Sequence, residues 1–344
     1  MAIDVPGKVP TELFGHNTQN EPGREIKARF AAQHCPFLGK ECNKPRKSQP
    51  KIKIGTCSLG YQGRNQVEYK PVIVCPHRFE ASVVFDSIRR EFFPGESRIK
   101  WVREVKIGHA GSVDFVAAVL DGQNRIKKYL CVEIQAGGTT GTPYGAVDEY
   151  LKGFQFTKNS YNYGINWANE YVKTMMQQAL KKGKIVAAWK KQIVFVLQDI
   201  GMEYIMSTGS GVVKACEKHP VQFRPFSLTL NKQTANWELQ PSPANYSADL
   251  DGIRALLSGS DELFSESQFL ESLLRKGTRD KVFPDDKAPL TTRPAVRSWP
   301  AIIQNHTAAA RPVPPAAGFP TPGPAGGARG GRRCIANPSG SPPT

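Results

Sequence analysis

Asp114 and the tripeptide Glu133-Ile134-Gln135 each sit inside a run that otherwise reads as buried strand, Ser112 to Leu120 and Lys128 to Gln135. A carboxylate in such surroundings costs roughly several kcal/mol unless a metal, a cationic partner or hydrogen bonds stabilise it. Side chains alternate along a strand. Glu133 and Gln135 therefore project from one face about 6.7 Å apart, while Ile134 enters the opposite layer. With Asp114 on the neighbouring strand, two carboxylates and one amide can converge on a point. Hard Mg²⁺ takes one or two carboxylates and completes its shell with waters and substrate phosphate oxygens. A metal so held polarises a phosphodiester and lowers the pKa of a bound water. These residue types point to a divalent-metal site suited to hydrolysis.

A second constellation lies upstream. Cys35-x6-Cys42-x14-Cys57-x17-Cys75 is looser than the paired C-x2-C knuckles of a zinc ribbon. Turn residues beside the cysteines (Pro36, Gly55, Pro76), interleaved basic residues and scant core-forming material mark residues 35–78 as a metal-binding element whose metal supplies folding energy. Thiolates select Zn²⁺ or iron over hard cations, and spacing does not separate those two. The chain has seven cysteines, an odd number that argues against a disulfide framework.

Lys40, Lys44, Arg46, Lys47, Lys51 and Lys53, with Arg64, Lys70 and Arg78, fit phosphate contacts beside the cysteines. The whole chain of 344 residues has 46 Lys+Arg against 30 Asp+Glu, a net charge of +16. From Pro284 onward seven Lys/Arg face two Asp/Glu, so residues 1–283 keep +11 of that charge. A polyanionic partner follows, most simply nucleic acid. No apolar run approaches the roughly 20 residues of a membrane-spanning helix, and the N-terminus lacks a signal-peptide apolar region. A soluble, intracellular protein is expected.

The acids need a sheet to hold them. Phe79 to Phe93 has Val83, Val84, Ile88 and Phe92 at helical spacing and stops at Pro94-Gly95. Trp101 to Ile107 reads as a strand, followed by the turn His109-Ala110-Gly111, the strand carrying Asp114, a turn at Asp121 to Asn124, and the strand carrying Glu133. Residues 136–163 are Gly/Thr-rich and show no clear element. Asn166 caps a helix with Ala168, Val172, Met175 and Ala179 on one face, and Lys181-Lys182-Gly183 supplies a basic last turn and a glycine stop. Ile193 to Leu197 is a buried strand. Helix, three-stranded meander, helix and strand make an α/β (α+β) domain with a mixed central sheet flanked by helices. Val212 to Leu239 is weakly strand-like, and Asp249 to Arg275 contains one or two amphipathic helices. Three regions result: residues 1–78, an arm and four-cysteine element; 79–283, the core; and 284–344, a Pro/Gly/Ala-rich tail that cannot bury enough surface to fold.

Several motifs in order resemble the NotI-type restriction endonucleases. They are Phe14-Gly15-His16, Cys35-Pro36-Phe37-Leu38, Cys42-Asn43-Lys44, Gly55-Thr56-Cys57-Ser58 and Cys75-Pro76-His77-Arg78-Phe79. Val113-Asp114, Val132-Glu133-Ile134-Gln135, and Asn166-Trp167 opening a helix with Gln178 and Lys182-Gly183 continue the series. The resemblance spans about residues 11–200. It implies a PD-(D/E)XK core, Mg²⁺-dependent hydrolysis of double-stranded DNA, a homodimer acting on a palindromic site, and a four-cysteine metal site at Cys35, Cys42, Cys57 and Cys75. It further implies that Asp114 and Glu133 hold Mg²⁺ and that Gln135 stands where a lysine usually positions or activates the attacking water. A neutral amide can orient that water but cannot lower its pKa as an ammonium would. These nucleases often add an upstream acid, for which Glu104 is the choice and Glu91 the rival.

The expectation is a type II site-specific deoxyribonuclease of the cytoplasm of a prokaryotic cell, part of restriction-modification. The alternative is a metal-knuckle DNA-binding protein with an inactive nuclease-like core.

Overall fold

The computed structural model describes residue 5 and residues 7–46, 48–63, 68–209, 213–258 and 265–267. The chain divides into two compact units, residues 1–261 and 262–344. The tail from Pro284, the helical pattern beyond Ser258 (residues 265–267 apart), Lys47 and Arg64 lie outside the described residues.

Within the first unit, the N-terminal stretch is more regular than its polar, Pro-rich composition predicts. Strands β1 (Pro10–Leu13), β2 (His16–Asn17), β3 (Thr56–Tyr61) and β4 (Lys70–Ile73) form an antiparallel sheet of order β2-β1-β3-β4. Helix α1 (Arg24–Ala31) precedes the short ladder that brings Cys35 opposite Lys40. A 3-10 turn over Pro76–Phe79 then leads to helix α2 (Ser82–Phe92), which buries Val84 and Ile88 one turn apart.

The central sheet has eight strands: β5 (Ile99–Lys106), β6 (Ser112–Leu120), β7 (Ile126–Gln135), β8 (Ile193–Gln198), β9 (Val213–Lys214), β10 (Val221–Asn231), β11 (Asn236–Pro241) and β12 (Tyr246–Ala248). Its order is β9-β12-β10-β8-β7-β6-β5, with β11 also paired to β10. The meander β5-β6-β7 is antiparallel, whereas β7-β8 and β8-β10 are parallel, so the sheet is mixed. All six residues of β8 are buried, as a strand covered on both faces requires.

Helix α3 (Tyr144–Gly153) occupies the stretch that showed no clear element. Beyond it, Ala168–Met176 is a π-helix that passes directly into α4 (Gln177–Ala188). The expected stop at Lys181-Lys182-Gly183 is not observed, because the helix continues one turn further. A Cβ on Gly183 would lie 2.8 Å from Val221 Cγ2, so this glycine permits close approach of helix to strand rather than ending the helix. Helices α5 (Asp199–Met206) and α6 (Leu250–Ser258) complete that layer.

Two apolar layers sandwich the sheet. One joins Tyr171, Met175, Val186, Ile205 and Leu256 to Cys131, Phe195 and Phe223; the other joins Val84, Ile88, Trp237 and Leu239 to Phe115, Val132 and Val196. Residues 1–78 do take part in apolar cores, but they borrow the partners. Leu13, Phe14, Phe30, Cys35 and Cys42 pack on Val147 and Tyr150, while Leu59, Val72 and Val74 pack on Tyr163, Ile165 and Ile200.

A buried ion pair ties the N-terminal sheet to the rest of the unit. Arg78, assigned from sequence to phosphate contact, is instead 5% exposed. Its Nε donates to Glu12 Oε1 at 2.9 Å and its Nη2 to the Trp237 carbonyl at 2.7 Å. Ser58 Oγ donates to the other Glu12 oxygen at 2.8 Å. Burial pushes the Glu12 carboxyl up, and Arg78 and Ser58 oppose it. Arg78→Met leaves that carboxylate buried without its charge partner, so urea denaturation should show a loss of about 3–5 kcal/mol. A loss below about 1 kcal/mol, the range of an exposed pair, would contradict the structural role given to it.

Candidate active site

The β5-β6-β7 meander places three acids at one level. The β6-β7 register pairs Phe115 with Val132, so Asp114 stands opposite Glu133. The β5-β6 ladder pairs Val113 with Val105 and Phe115 with Arg103 and omits the level between, where Asp114 faces Glu104. At this level a side chain takes over from the backbone ladder: Asp114 Oδ2 accepts the Ile134 N–H at 2.7 Å, and the nearby Asp114 backbone favours the charged form of Glu133. Glu104 has φ of 52°, a left-handed conformation costly for a residue with a Cβ. The strands turn over there. Val113 packs in the α4 layer and Phe115 in the α2 layer, although residues two apart on a regular strand share a face.

Glu133 is 5% exposed, and its Oε1 accepts a hydrogen bond from Lys182 Nζ of α4 at 2.6 Å. Burial first, and the Asp114 charge second, push the Glu133 carboxyl up to about 7, against the pull of Lys182. Burial also raises Asp114, which the Ile134 N–H and Lys182 counter. Gln135 follows on the same strand, but its Nε2 donates to the Ala136 carbonyl at 2.8 Å. The amide is thus turned back on its own backbone.

An open cleft of about 420 Å³ is lined by Glu104, Asp114, Phe115 and Ile134 on the sheet side and by Leu38, Lys40, Asn43, Pro76, His77 and Glu80 from the cysteine element and its exit. Arg103 completes it and is paired with Glu80, which also meets His77 Nδ1 at 2.6 Å. The Glu80 charge reaches Asp114. Glu91, the rival to Glu104, is engaged elsewhere, with its Oε2 accepting from Arg224 Nε at 2.7 Å. Sequence reasoning did not single out Glu80, and it named Lys182 as a helix terminus and as part of the Gln178…Lys182-Gly183 motif, without a role at the acids. The i,i+4 spacing of Gln178 and Lys182 on one helix face was the available signal for the lysine. For Glu80 no local pattern exists.

Cys35, Cys42, Cys57 and Cys75 are buried free thiols. Burial raises the Cys35 thiol, raises Cys57 strongly and pushes Cys75 up to about 11. They lie within charge range of one another: Cys35 feels Cys42, Cys57 feels Cys75 and Cys35, and Cys75 feels Cys42 and Cys35. The nearby backbone of Phe37 and Leu38 at Cys35, of Gly15 at Cys57 and of His77 at Cys75 opposes the rise from burial without overcoming it. Among the described residues, however, no group of three or more His, Cys, Asp or Glu side chains is drawn together closely enough to hold a metal ion. Of the basic residues expected at phosphates, Lys40, Lys51 and Lys70 are exposed, and Lys44 Nζ is committed to the Val74 carbonyl at 2.6 Å.

With this geometry in hand, comparison with known families is decisive. A family model for restriction endonuclease NotI matches residues 23–215, more than half of the chain. The chain belongs to the NotI restriction endonuclease family. No curated protein matches it. Membership makes it a restriction endonuclease, a site-specific hydrolase of double-stranded DNA. The matched NotI segment contains the four cysteines, the acid row and Lys182. Among the described residues no helix is long and apolar enough to cross a membrane.

The strained acid offers a direct check. Glu104→Gly removes both the Cβ penalty at positive φ and one of two facing carboxylates. Stability should rise by about 1 kcal/mol, or about 2–4 °C in melting temperature for a domain of this size. An unchanged or lowered melting temperature would show that the backbone at Glu104 is not strained.

Proposed function

We propose that the chain is a type II restriction endonuclease that cleaves both strands of a palindromic site as a homodimer. In this reading Mg²⁺ is held by Asp114 and Glu133, Glu104 is the additional acid, and Gln135 positions the attacking water. The observation that carries it is the row Glu104-Asp114-Glu133 on three neighbouring strands. Like charges directly opposite one another destabilise a sheet, and an all-oxygen set of this kind suits a hard cation that relieves the repulsion. The strained backbone at Glu104 is consistent with stability yielded to function.

When bound, Mg²⁺ supplies a Lewis acid for the scissile phosphate and a water of lowered pKa. The protein's part is orientation. The Ile134 N–H aims Asp114, and Lys182 aims Glu133. Gln135 spends one amide N–H on the Ala136 carbonyl and keeps its Oε1 and second N–H to orient a water. As a neutral group it holds that water without shifting its pKa. Within residues 79–283, of which 210–212, 259–264 and 268–283 lie outside the described residues, the fold is read as a PD-(D/E)XK core, in the cytoplasm of a prokaryotic cell.

Residues 1–78 are read as the DNA-contacting element, with iron or Zn²⁺ held by Cys35, Cys42, Cys57 and Cys75. The observation behind this is that the four thiols lie within charge range of one another, where burial raises Cys35, Cys57 and Cys75 away from thiolate and a bound cation would have to reverse that. Elemental analysis of the purified protein should find about one equivalent of iron or zinc per chain; a folded, metal-free protein would end that assignment.

For the acid row, Glu133→Ala should abolish formation of discrete fragments from phage DNA in Mg²⁺. Binding to the same DNA in Ca²⁺ should survive. Cutting by this variant at the wild-type rate would overturn the site assignment, and binding by the wild type without cutting in any divalent metal would identify an inactive nuclease-like core.

A further inference from the structure

Gln135 brings no positive charge to the acid row, yet a cation stands within it. Lys182 reaches from α4 to Glu133 with 4% of its surface exposed. An ammonium has three N–H groups, and each has a partner: Glu133 Oε1 at 2.6 Å, the Ser112 carbonyl at 2.7 Å and Gln178 Oε1 at 3.2 Å. We propose that Lys182 is a positioning residue for DNA cleavage, one that holds and charge-balances the Glu133 carboxylate from the helix layer. The inference rests on the reading of Glu133 as an active-site acid.

The three contacts exclude the more obvious role. With every N–H engaged, Lys182 has no donor left to orient an attacking water, so it acts through Glu133. It also binds the carbonyl two residues before Asp114, so one ammonium links the strands of Asp114 and Glu133 to α4. Stability alone is a weak reason for such a pair, because buried ion pairs are often no better than apolar replacements of similar volume. The approach of α4 is specified as well. A nine-residue π-helix leads into it, a geometry rare in proteins and frequent at functional sites. Gly183, the next residue, lets the helix come close to β10.

The test uses the full-length protein on a DNA fragment that the wild type cuts, with single-turnover rates in Mg²⁺, binding in Ca²⁺ and melting temperature measured together. Lys182→Met should cut about 10–100-fold more slowly, the usual effect of removing an outer partner of a metal-ligating group, with DNA binding within about threefold of wild type. Lys182→Gln, which keeps a hydrogen-bonding head without the charge, guards against loss of folding and should fall in the same range. Adding Gln135→Lys to Lys182→Met returns a cation from the strand, and should recover a measurable part of the lost rate.

The proposal is overturned if a folded Lys182 variant cuts within about threefold of wild type. It is also overturned if Gln135→Lys restores nothing, or if every loss of cutting matches a loss of folded protein. Wild-type protein that yields no fragments would instead end the nuclease reading itself.

Discussion

A carboxylate set between paired strands must be satisfied where the backbone ladder would otherwise run, and much of this molecule is arranged around that need. At the level of Asp114 the ladder gives way to a bond from the Ile134 N–H to the Asp114 carboxylate. Glu133, one strand over, is buried and draws on Lys182. That demand fixes the approach of α4, which in turn requires a glycine against β10 and follows a π-helical lead-in. The sheet, the helix layer and the acid row thus share one electrostatic condition.

The cysteine element is joined to this core by a different condition of the same kind. Glu12 and Arg78 are both almost fully buried, and each is tolerable only because of the other. Arg78 lies in the short turn between Cys75 and Glu80. Its anchorage therefore sets where a thiol ends and where a cleft acid begins. The Glu80 charge is felt by both Cys35 and Asp114.

The acid pair and its strands were legible because their signals are local. An ionisable residue inside an apolar run is conspicuous, and strand alternation assigns its face without knowledge of the partner. Other readings failed where a residue's meaning depended on a distant neighbour. Gly183 has the sequence of a helix stop but serves a helix–strand contact. Arg78 looks like part of a basic surface but is the partner of a glutamate 66 positions away. Residues 35–78 look too poor in apolar side chains to make a core, and they complete one with Val147, Tyr150, Tyr163 and Ile200.

The sequence by itself determined the mixed α/β class, the basic character and the four thiols, which follow from residue type, period and charge, and its ordered motifs carried the resemblance to a nuclease family. Only the tertiary structure decided which acid faces Asp114, since that depends on strand register and on a backbone reversal at Glu104. It alone brought Lys182 to Glu133 across 49 positions and turned the Gln135 amide onto the neighbouring carbonyl. The reason is physical. Burial and Coulombic partnership are properties of points in space, and a local pattern specifies a face of an element without specifying what meets it.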